Sequence, residues 1–492
     1  LGTGKDYATV KYDADGNLLW VDRYCGPGND DALDEPWAIA GDNQGNAYVA
    51  GSSTATGTDW DFATIKYRPD GSRAWVARYD GLGKDRDKGF AMAVDDYGNV
   101  YVTGSSRGLG PYADYATVKY NSDGEQLWEA RYVGPSDSPD WPQDIAVYSD
   151  GSVYVTGCGD AYDSIDYATI KYSPDGSEEW VATYNGTSDG WDMAYDIALD
   201  AAGNIYVTGW SDGAGTGADY VTIKYDPDGN ELWVARYDGG PYYDSDYAHD
   251  LTVDPAGNVY VTGHSCISYL GFDYTTLKYD TDGNLEWEAR YGGTGFSYLG
   301  DIAYAIAVDD CGNVYVTGKN DGYAHYDCAT VKYSPDGVEQ WAAVYEETEW
   351  SDGVGSGIAV NPWGEVYVIG NCNGAGTVQD FIVIKYSDGT GVPSDSETLR
   401  EVRLFPASPN PFRTGTALRL ESNVGVASTI VEVCNASGQM VRRIHDGPVE
   451  ARGCTVTWDG TDRHGRPAAS GVYFVKAYSG VAKATEKVVL VR

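Results

Sequence analysis

The sequence predicts an all-β protein, a seven-bladed β-propeller followed by a small β-sandwich. Three observations predict this fold: motifs that recur every 52–55 residues, short segments of alternating apolar and polar residues within each repeat, and a change of charge near residue 403. No segment keeps a 3.6-residue apolar period, so we expect essentially no helix. We assign residues 1–386 to the propeller, 387–402 to a linker and 403–492 to the second domain.

Three short motifs carry the repeat. Asp-Tyr-Ala-Thr-x-Lys-Tyr or a close variant begins at Asp6, Asp61, Asp114, Asp166, Asp219, Asp273, Asp327 and Asp380. Variants of Gly-Asn-Val-Tyr-Val-Thr-Gly begin at Gly45, Gly98, Gly151, Gly203, Gly257, Gly312 and Gly364. The motif Trp-x-Ala-Arg-Tyr or a variant contains Trp20, Trp75, Trp128, Trp180, Trp233, Trp287 and Trp341, and we interpret these tryptophans as structural. A period near 50 residues is typical of propellers and solenoids.

Each repeat contains four predicted strands, named A to D from the centre outward. In one copy they are residues 91–94, 99–103, 115–120 and 127–132, joined by short turns rich in Asp, Pro and Gly. Four-stranded antiparallel units repeated around an axis form a propeller, in which strand A is innermost.

The number of strands indicates how the ring closes. Strands A, B and D each occur seven times, whereas strand C occurs eight times. We expect the strand at Leu18–Tyr24 to complete the blade that holds Asp380–Tyr386, which would hide the open edges of the array. One C strand is then left over, and it caps an edge or pairs with a neighbouring molecule.

The repeat resembles the bacterial extracellular β-propeller repeats of the SBBP type, over about four fifths of the chain. After the linker, Pro-Asn-Pro-Phe at 409–412 and Ala-Ser-Gly-Val-Tyr-Phe at 469–474 resemble the C-terminal sorting domains of type IX secretion and the Ig-like domain of the flagellar hook-capping protein. This resemblance implies an Ig-like sandwich that directs export to the cell surface. Its removal would leave the propeller folded and block surface delivery.

The net charge of −40 limits the partners of the protein. Residues 403–492 contain 12 Lys and Arg against 7 Asp and Glu, a net of +5, which leaves −45 for the rest of the chain. An acidic surface repels nucleic acid and anionic membranes. No run of 18 apolar residues is present, so we expect neither nucleic-acid binding nor membrane insertion.

The eight cysteines include no Cys-x-x-Cys pair, which argues against a zinc cluster. Cys434 and Cys454 lie in two predicted strands of the second domain and are candidates for a disulfide. Cys25 and Cys372 follow strands of the predicted closing blade and are a second candidate pair. Disulfides fit an extracellular compartment or the bacterial cell surface.

Carboxylates recur at one level of the predicted channel. Strand A begins with Asp144, Asp196 and Asp250 in three consecutive repeats, and His249 precedes the last of them. Such a cluster would hold a cation, bind a basic group or act as a carboxylate pair in acid–base catalysis. Alternatively, each carboxylate caps the backbone of a neighbouring blade or pairs with a repeat arginine.

The B–C and D–A connections lie on one face of the propeller, here called the loop face, and they vary while the strands repeat. They carry Trp141, Trp191 and Trp210, which we expect to bind a glycan or a protein because exposed rings stack on apolar faces. Further candidate aromatic residues are Trp60, Trp350, Tyr112, Tyr162, Tyr242, Tyr243 and Tyr269. The alternative is that these rings pack within or between blades.

Acidic turns at Asp13, Asp226 and Asp280 have the sequence Asp-x-Asp-Gly-Asn. An EF-hand loop needs Gly at its sixth position and Glu at its twelfth, whereas these turns have Gly fourth and Tyr twelfth. We interpret them as hairpin turns and expect no cofactor, although loosely bound calcium stays open. Chelators are expected to leave the fold intact.

Three classes of function remain open from the sequence. We favour an extracellular, non-enzymatic binding or structural protein whose partner is a protein or a glycan. The second class is a self-assembling subunit of an extracellular fibre or surface layer, built through the surplus strand or the second domain. The third is a polysaccharide-directed enzyme centred on Asp144, Asp196 and Asp250. No nucleophile elbow or phosphate-binding loop supports catalysis.

Overall fold

The structure is a computed structural model in which two compact units are distinguished, Leu1–Val392 and Pro393–Arg492. It describes residues 5–13, 16–27, 33–55, 58–83, 85–136, 138–161, 164–188, 190–240, 245–268, 271–292, 300–321, 325–345, 352–361, 364–372, 380–386, 402–404, 410–422, 428–435, 439–448, 454–479 and 482–491. Every regular element of these residues is a β-strand. Within them, no helix is long and apolar enough to cross a membrane.

The first unit begins with a hairpin and continues with antiparallel four-stranded sheets, the blades. The hairpin consists of β1 (Tyr7–Tyr12) and β2 (Leu18–Tyr24). Blade 1 consists of β3 (Asp34–Gly41), β4 (Ala47–Ala55), β5 (Thr58–Tyr67) and β6 (Arg73–Tyr79). Blade 2 consists of β7 (Asp87–Val94), β8 (Val100–Arg107), β9 (Ala113–Tyr120) and β10 (Gln126–Tyr132). Blade 3 consists of β11 (Trp141–Val147), β12 (Val153–Ala161), β13 (Ser164–Tyr172) and β14 (Glu178–Tyr184).

The later blades repeat the same order of strands. Blade 4 consists of β15 (Asp192–Leu199), β16 (Ile205–Gly213), β17 (Gly217–Tyr225) and β18 (Glu231–Tyr237). Blade 5 consists of β19 (Tyr247–Val253), β20 (Val259–Ser268), β21 (Gly271–Tyr279) and β22 (Leu285–Tyr291). Blade 6 consists of β23 (Ile302–Val308), β24 (Val314–Asp321), β25 (Tyr326–Tyr333) and β26 (Glu339–Tyr345). Blade 7 has three strands, β27 (Gly353–Val360), β28 (Val366–Cys372) and β29 (Asp380–Tyr386).

The predicted strands and the propeller-type fold are confirmed. In each of the seven blades the first strand pairs with the second, and the second pairs with the third. Strand A of blades 2 to 7 also packs on the first three strands of the blade before it, as β19 does on β15, β16 and β17, whereas strand A of blade 1, β3, contacts β1 of the hairpin. Apolar residues of consecutive blades therefore share one core, in which Tyr206, Tyr220 and Val261 are buried.

A β-bulge in strand A recurs in all seven blades and faces a glycine of strand B. In blade 5 the pairing shifts between Ala248 and Asp250, and Gly263 lies opposite. A β-carbon at Gly263 would lie 2.0 Å from the carbonyl oxygen of Tyr247, so no larger residue fits without a backbone shift. The last glycine of the Val-Tyr-Val-Thr-Gly motif is thus explained by the bulge.

The tryptophan of strand D connects the hairpin and blades 1 to 5 each to the following blade. The Trp180 indole N–H donates to the carbonyl oxygen of Pro227, 3.2 Å away in the C–D turn of the following blade. Its ring lies against Gly229, which has a φ of 83° and would place a β-carbon 2.7 Å from the ring. Trp20, Trp75, Trp128, Trp233 and Trp287 repeat this hydrogen bond. The structural interpretation of these residues is supported by this geometry.

The N-terminal hairpin does not make the predicted pairing. β2 pairs with β1, from Tyr7 opposite Tyr24 to Tyr12 opposite Leu18. Among the described residues, blade 7 keeps three strands, and β29 pairs with β28 alone. The surplus C strand explains this result, because β1 occupies the edge of β2 with which β29 would have to pair. A four-stranded closing blade is therefore not formed by β2 and β29.

The second unit packs two sheets over one core. The first sheet consists of β30 (Val402–Leu404), β31 (Thr416–Ser422) and β34 (Cys454–Trp458). The second consists of β33 (Met440–Pro448), β32 (Ser428–Asn435), β35 (Gly471–Ser479) and β36 (Ala482–Leu490). Phe412 of the Pro-Asn-Pro-Phe motif is buried against Trp458, and the Asn410 side chain bonds Lys487 O and Val489 N at 2.8 Å each. The motif thus anchors the start of this unit to its last strand.

Neither predicted disulfide is formed. Cys434 lies in β32 and Cys454 in β34, which belong to different sheets of the second unit. Cys25 follows β2 and Cys372 ends β28, so their predicted proximity depended on the closing blade that β1 prevents.

Candidate functional site

The three predicted carboxylates lie side by side and cap the backbone of the next blade. Asp144 accepts a hydrogen bond from the backbone N–H of Ile197 at 3.3 Å. Asp196 accepts the corresponding hydrogen bond from the backbone N–H of Leu251 in blade 5 at 2.7 Å. Asp250 accepts one from the backbone N–H of Ile306 in blade 6 at 2.8 Å. The backbone-capping alternative therefore describes these side chains, which join blades 3, 4, 5 and 6.

The row is also connected within itself. The pKa values of Asp144 and Asp250 are raised well above the usual range by burial, by the negative charge of Asp196 and by a hydrogen bond to the Asp196 carboxyl group. Burial and the charge of Asp196 therefore favour the protonated forms of Asp144 and Asp250. The row connects neighbouring blades, because each of its carboxyl groups accepts a hydrogen bond from the backbone of the next blade.

Beside the carboxylate row lies a cluster of rings that sequence analysis found only in part. His249 Nε2 lies 3.0 Å from His264 Nδ1. Tyr195 stacks on His249 with ring centroids 5.6 Å apart, and its hydroxyl accepts a hydrogen bond from the Trp210 indole at 3.2 Å. Tyr247 contacts both Trp210 and His264. These five residues are called the imidazole cluster below.

Further rings and the ammonium group of Lys319 in blade 6 lie next to the cluster. Tyr304 packs on His249 at 5.5 Å, and Phe272 meets His264 edge-on at 4.7 Å. The Lys319 ammonium lies 4.3 Å from the centre of the Tyr326 ring. His264 and Trp210 are buried, whereas the other members are partly exposed. The cluster and its neighbours therefore combine aromatic rings, hydroxyl groups, imidazole nitrogens and one ammonium group.

Both imidazoles are neutral at physiological pH. Burial and the positive charge of Lys319 lower the pKa of His249 to about 4. Burial, His249 and Lys319 lower the pKa of His264 well below its usual range. One neutral ring consequently donates to the other, and each keeps one nitrogen for a further hydrogen bond.

The cluster arises from two variable positions of an otherwise constant repeat. The residue after the bulge-facing glycine of strand B is small in blades 1 to 3, where it is Ser52, Ser105 and Cys158. It is Trp210, His264 and Lys319 in blades 4 to 6. The bulged residue of strand A is Tyr195, His249 and Tyr304 in the same blades. A comparison of the repeats in register would have revealed this change, because the Val-Tyr-Val-Thr-Gly segment that precedes the strand-B position is nearly constant.

The aromatic residues predicted for the loop face divide into exposed and buried ones. Trp191 is 58% exposed, and its backbone N–H donates to Asp212 at 3.0 Å. Trp141 is partly buried at the start of β11. Trp210 is only 8% exposed, so its predicted surface role is wrong: its ring fills the space between Tyr195 and Tyr247. Trp60 is buried beneath the ammonium group of Lys88. Trp350, Tyr162, Tyr242, Tyr243 and Tyr269 lie outside the described residues.

A concave surface lies on the loop face of blade 2. It has a volume of about 260 Å³ and is lined in part by Leu82, Leu109, Tyr112 and Val133, all of which are exposed. Arg131 and Asp114 contribute its polar groups. The loop face thus presents exposed apolar side chains at Trp191 and on blade 2.

The acidic turns use their carboxylates internally. Asp226 accepts hydrogen bonds from the backbone N–H groups of Asp228 and Asn230 at 3.0 Å and 2.8 Å. Asp280 makes the same bonds to Asp282 and Asn284. Their glycines, such as Gly229, have positive φ. This geometry is that of Asp-initiated hairpin turns.

The fold and these features define a repeat β-propeller protein with a second, Ig-like domain. The β-propeller repeat (SBBP) matches residues 78–111, 182–215 and 235–267, and the FlgD Ig-like domain matches residues 411–483. The chain therefore carries SBBP β-propeller repeats followed by a FlgD Ig-like domain.

Relatives outside these families are distant. An uncharacterized WD repeat-containing protein L264 of Acanthamoeba polyphaga mimivirus is 23% identical over 74% of this chain, which spans 31% of that protein. PorZ, a surface component of the type-IX secretion system of Porphyromonas gingivalis, is 14% identical, with 98% of this chain and 77% of that chain covered and a TM-score of 0.37. A polysaccharide lyase PL25 ulvan lyase is 12% identical, with 73% and 94% covered and a TM-score of 0.45. The β-propeller domain of the Trilobed protease from Pyrococcus furiosus is 9% identical, with 73% and 97% covered and a TM-score of 0.42.

Proposed function

We propose that this chain is an extracellular, non-enzymatic binding protein that recognises a glycan at the imidazole cluster and the adjoining loop face. The observation that carries the proposal is the replacement of small strand-B residues by Trp, His and Lys in blades 4 to 6 alone. Folding does not require this change, since blades 1 to 3 form the same sheets with small residues at this position. Side chains that vary on a constant scaffold are typical of a recognition surface.

The chemistry of the cluster favours a sugar over a flat protein surface. Partly exposed rings such as Tyr195 and Tyr304 offer faces on which the apolar side of a pyranose packs. Neutral imidazole nitrogens and the Lys319 ammonium group are placed to bond hydroxyl groups.

An enzymatic role has less support in this geometry. The Asp144, Asp196 and Asp250 carboxyl groups are engaged with backbone N–H groups and with one another. These hydrogen bonds to the backbone occupy the carboxyl groups, which weakens the polysaccharide-directed enzyme alternative.

Export is the second part of the proposal. The Ig-like domain resembles sorting domains, and its net charge of +5 differs from the −45 of the preceding residues. We propose that it delivers the propeller to the outside of a bacterial cell or to its surface.

Glycan binding is tested by replacing the accessible groups. Lys319→Gln and Trp191→Ala are expected to weaken binding to the best ligand of a glycan array by tenfold or more, with little change in melting temperature. Tyr97→Ala removes a side chain that is 81% exposed in the A–B turn of the opposite face, and it should bind as the wild type does. Because His249 stays neutral down to about pH 4, wild-type binding should be constant from pH 8 to 5.5.

Unchanged affinity in Lys319→Gln would refute the cluster as the recognition site. Equal losses in Tyr97→Ala would show that the effect is not local.

End-to-end association is a second candidate function, favoured by the exposed face of blade 7. Phe381 is 67% exposed and Val383 is 50% exposed. The residues equivalent to Phe381 in blades 2, 3 and 4 are Tyr115, Tyr167 and Tyr220, each at most 1% exposed because strand A of the next blade covers them. A second copy of the chain offers a matching strand A, β3, whose Trp37 and Ile39 are 57% and 59% exposed.

Phe381→Glu tests this association. Light scattering of the wild type should show concentration-dependent assembly, and the variant should need at least tenfold higher concentration because a charge cannot be buried in the apolar contact. Tyr97→Glu is the control for an added surface charge. A wild type that remains monomeric at every concentration would exclude this function.

A further inference from the structure

Each junction between blades carries acidic residues on the loop face, independent of the proposed glycan site. At the junction of blades 1 and 2 and at the junction of blades 4 and 5, the first Asp of strand C lies close to the Asp at the beginning of the next strand A, and both are buried, as with Asp219 and Asp246. At two junctions the residue after strand D is also an aspartate. Oxygen atoms of Asp219, Asp238 and Asp246 all lie within 4.8 Å of one another, and the same holds for Asp61, Asp80 and Asp87.

A buried oxygen without a partner marks the first of these groups as a ligand site. Asp219 is 1% exposed. Its Oδ2 atom accepts hydrogen bonds from Arg236 Nε at 2.6 Å and Thr216 Oγ1 at 2.7 Å. Its Oδ1 atom is buried and has no hydrogen-bond donor. Leaving a carboxylate oxygen buried without a donor is costly, and a cation held by the neighbouring carboxylates would remove that cost.

The electrostatics of both groups favour a divalent cation. Three carboxylates and one paired arginine, Arg236 or Arg78, leave a charge of −2 when all are ionised. A divalent ion balances this charge.

We propose that Asp219, Asp238 and Asp246 form a calcium site at the junction of blades 4 and 5, and that Asp61, Asp80 and Asp87 form a second one at the junction of blades 1 and 2. Calcium is the ion of choice because all ligands are hard carboxylate oxygens. Asp80 and Asp238 are exposed, so water completes the coordination. Such open sites bind with dissociation constants on the order of 10⁻⁴–10⁻³ M.

Three other junctions lack the third carboxylate, because the residue after strand D is Val133, Asn185 or Gly292 where blades 2, 3 and 5 end. The residue after strand D of blade 6 is Glu346, which lies outside the described residues. At the junction before blade 1 the group is Asp6, Cys25 and Asp34, in which a thiol replaces the carboxylate. The proposal is therefore confined to two sites.

The experiment measures calcium binding to the full chain by calorimetry and by terbium luminescence, which Tyr79 and Tyr237 beside the two sites would sensitise. The wild type should bind about two ions per chain. The double variant Asp80→Asn/Asp238→Asn should weaken binding at least tenfold and abolish most of the luminescence. Both replaced residues are exposed, so the fold should persist.

The matched control is Asp123→Asn/Asp228→Asn, which removes two exposed aspartates from C–D turns on the opposite face. It should bind calcium as the wild type does. The proposal is overturned if the wild type shows no saturable binding up to 10 mM calcium, or if the two double variants bind equally.

Discussion

Gly263→Ala is expected to destabilise the propeller by about 3 kcal/mol or more, the upper end of the range for overpacking a tight site. A β-carbon at this position would lie 2.0 Å from the Tyr247 carbonyl oxygen and 2.9 Å from the backbone Cα of Ala248. Both are backbone atoms of the bulged strand, so relief requires moving strand A. That movement would also displace His249, which the bulge positions, and glycan binding should fall together with stability.

The measurement is urea or thermal unfolding, followed by the fluorescence of the strand-D tryptophans. Gly110→Ala is the control, since a β-carbon there meets no atom within 4 Å. Its midpoint should equal that of the wild type. If Gly263→Ala unfolds at the wild-type midpoint, strand A is free to shift and the bulge does not explain the glycine of the repeat.

Trp210→Ala is expected to cost about 3–5 kcal/mol, as is usual when a buried tryptophan is truncated. The ring is 8% exposed and its N–H is bonded to the Tyr195 hydroxyl, so truncation leaves both a cavity and an unpaired hydroxyl group. Trp191→Ala should change stability by no more than about 0.5 kcal/mol, because Trp191 is 58% exposed.

Denaturant titrations compare the free energies of unfolding of the two variants directly, because both remove a tryptophan side chain from blade 4 or the loop before it. A Trp210→Ala protein as stable as the wild type would mean that the ring does not support the imidazole cluster. A large loss in Trp191→Ala would place that ring in the core and remove it from the recognition surface.

Some residues of the candidate site could be predicted from the sequence, but their chemistry could not. Asp144, Asp196 and Asp250 were found because they share one position of a regular repeat, which periodicity places at one level, and His249 was found because it directly precedes Asp250. Their chemistry did not follow from that position. Hydrogen bonds to the backbone of the next blade make the aspartates structural partners, and such contacts depend on the spacing between sheets rather than on the spacing along the chain.

His264 and Lys319 show the opposite case. Each is ordinary in its local sequence, and only the alignment of strand A with strand B brings His264 within 3.0 Å of His249. A lowered histidine pKa likewise results from burial by three blades together, which no local pattern reports.

The sequence by itself determined the strands, the turns and the order of the blades, because alternation of apolar residues and glycines with positive φ are local properties of the chain. It also determined the boundary region between the acidic propeller and the Ig-like domain, through composition and motif. Only the tertiary structure decided which of two equivalent C strands pairs with β2, whether Trp210 lies inside or outside, and which carboxylates meet at the blade junctions. Those outcomes depend on competition between residues far apart in the chain for the same hydrogen-bonding edge or the same space, and the repeat makes the competitors alike in sequence.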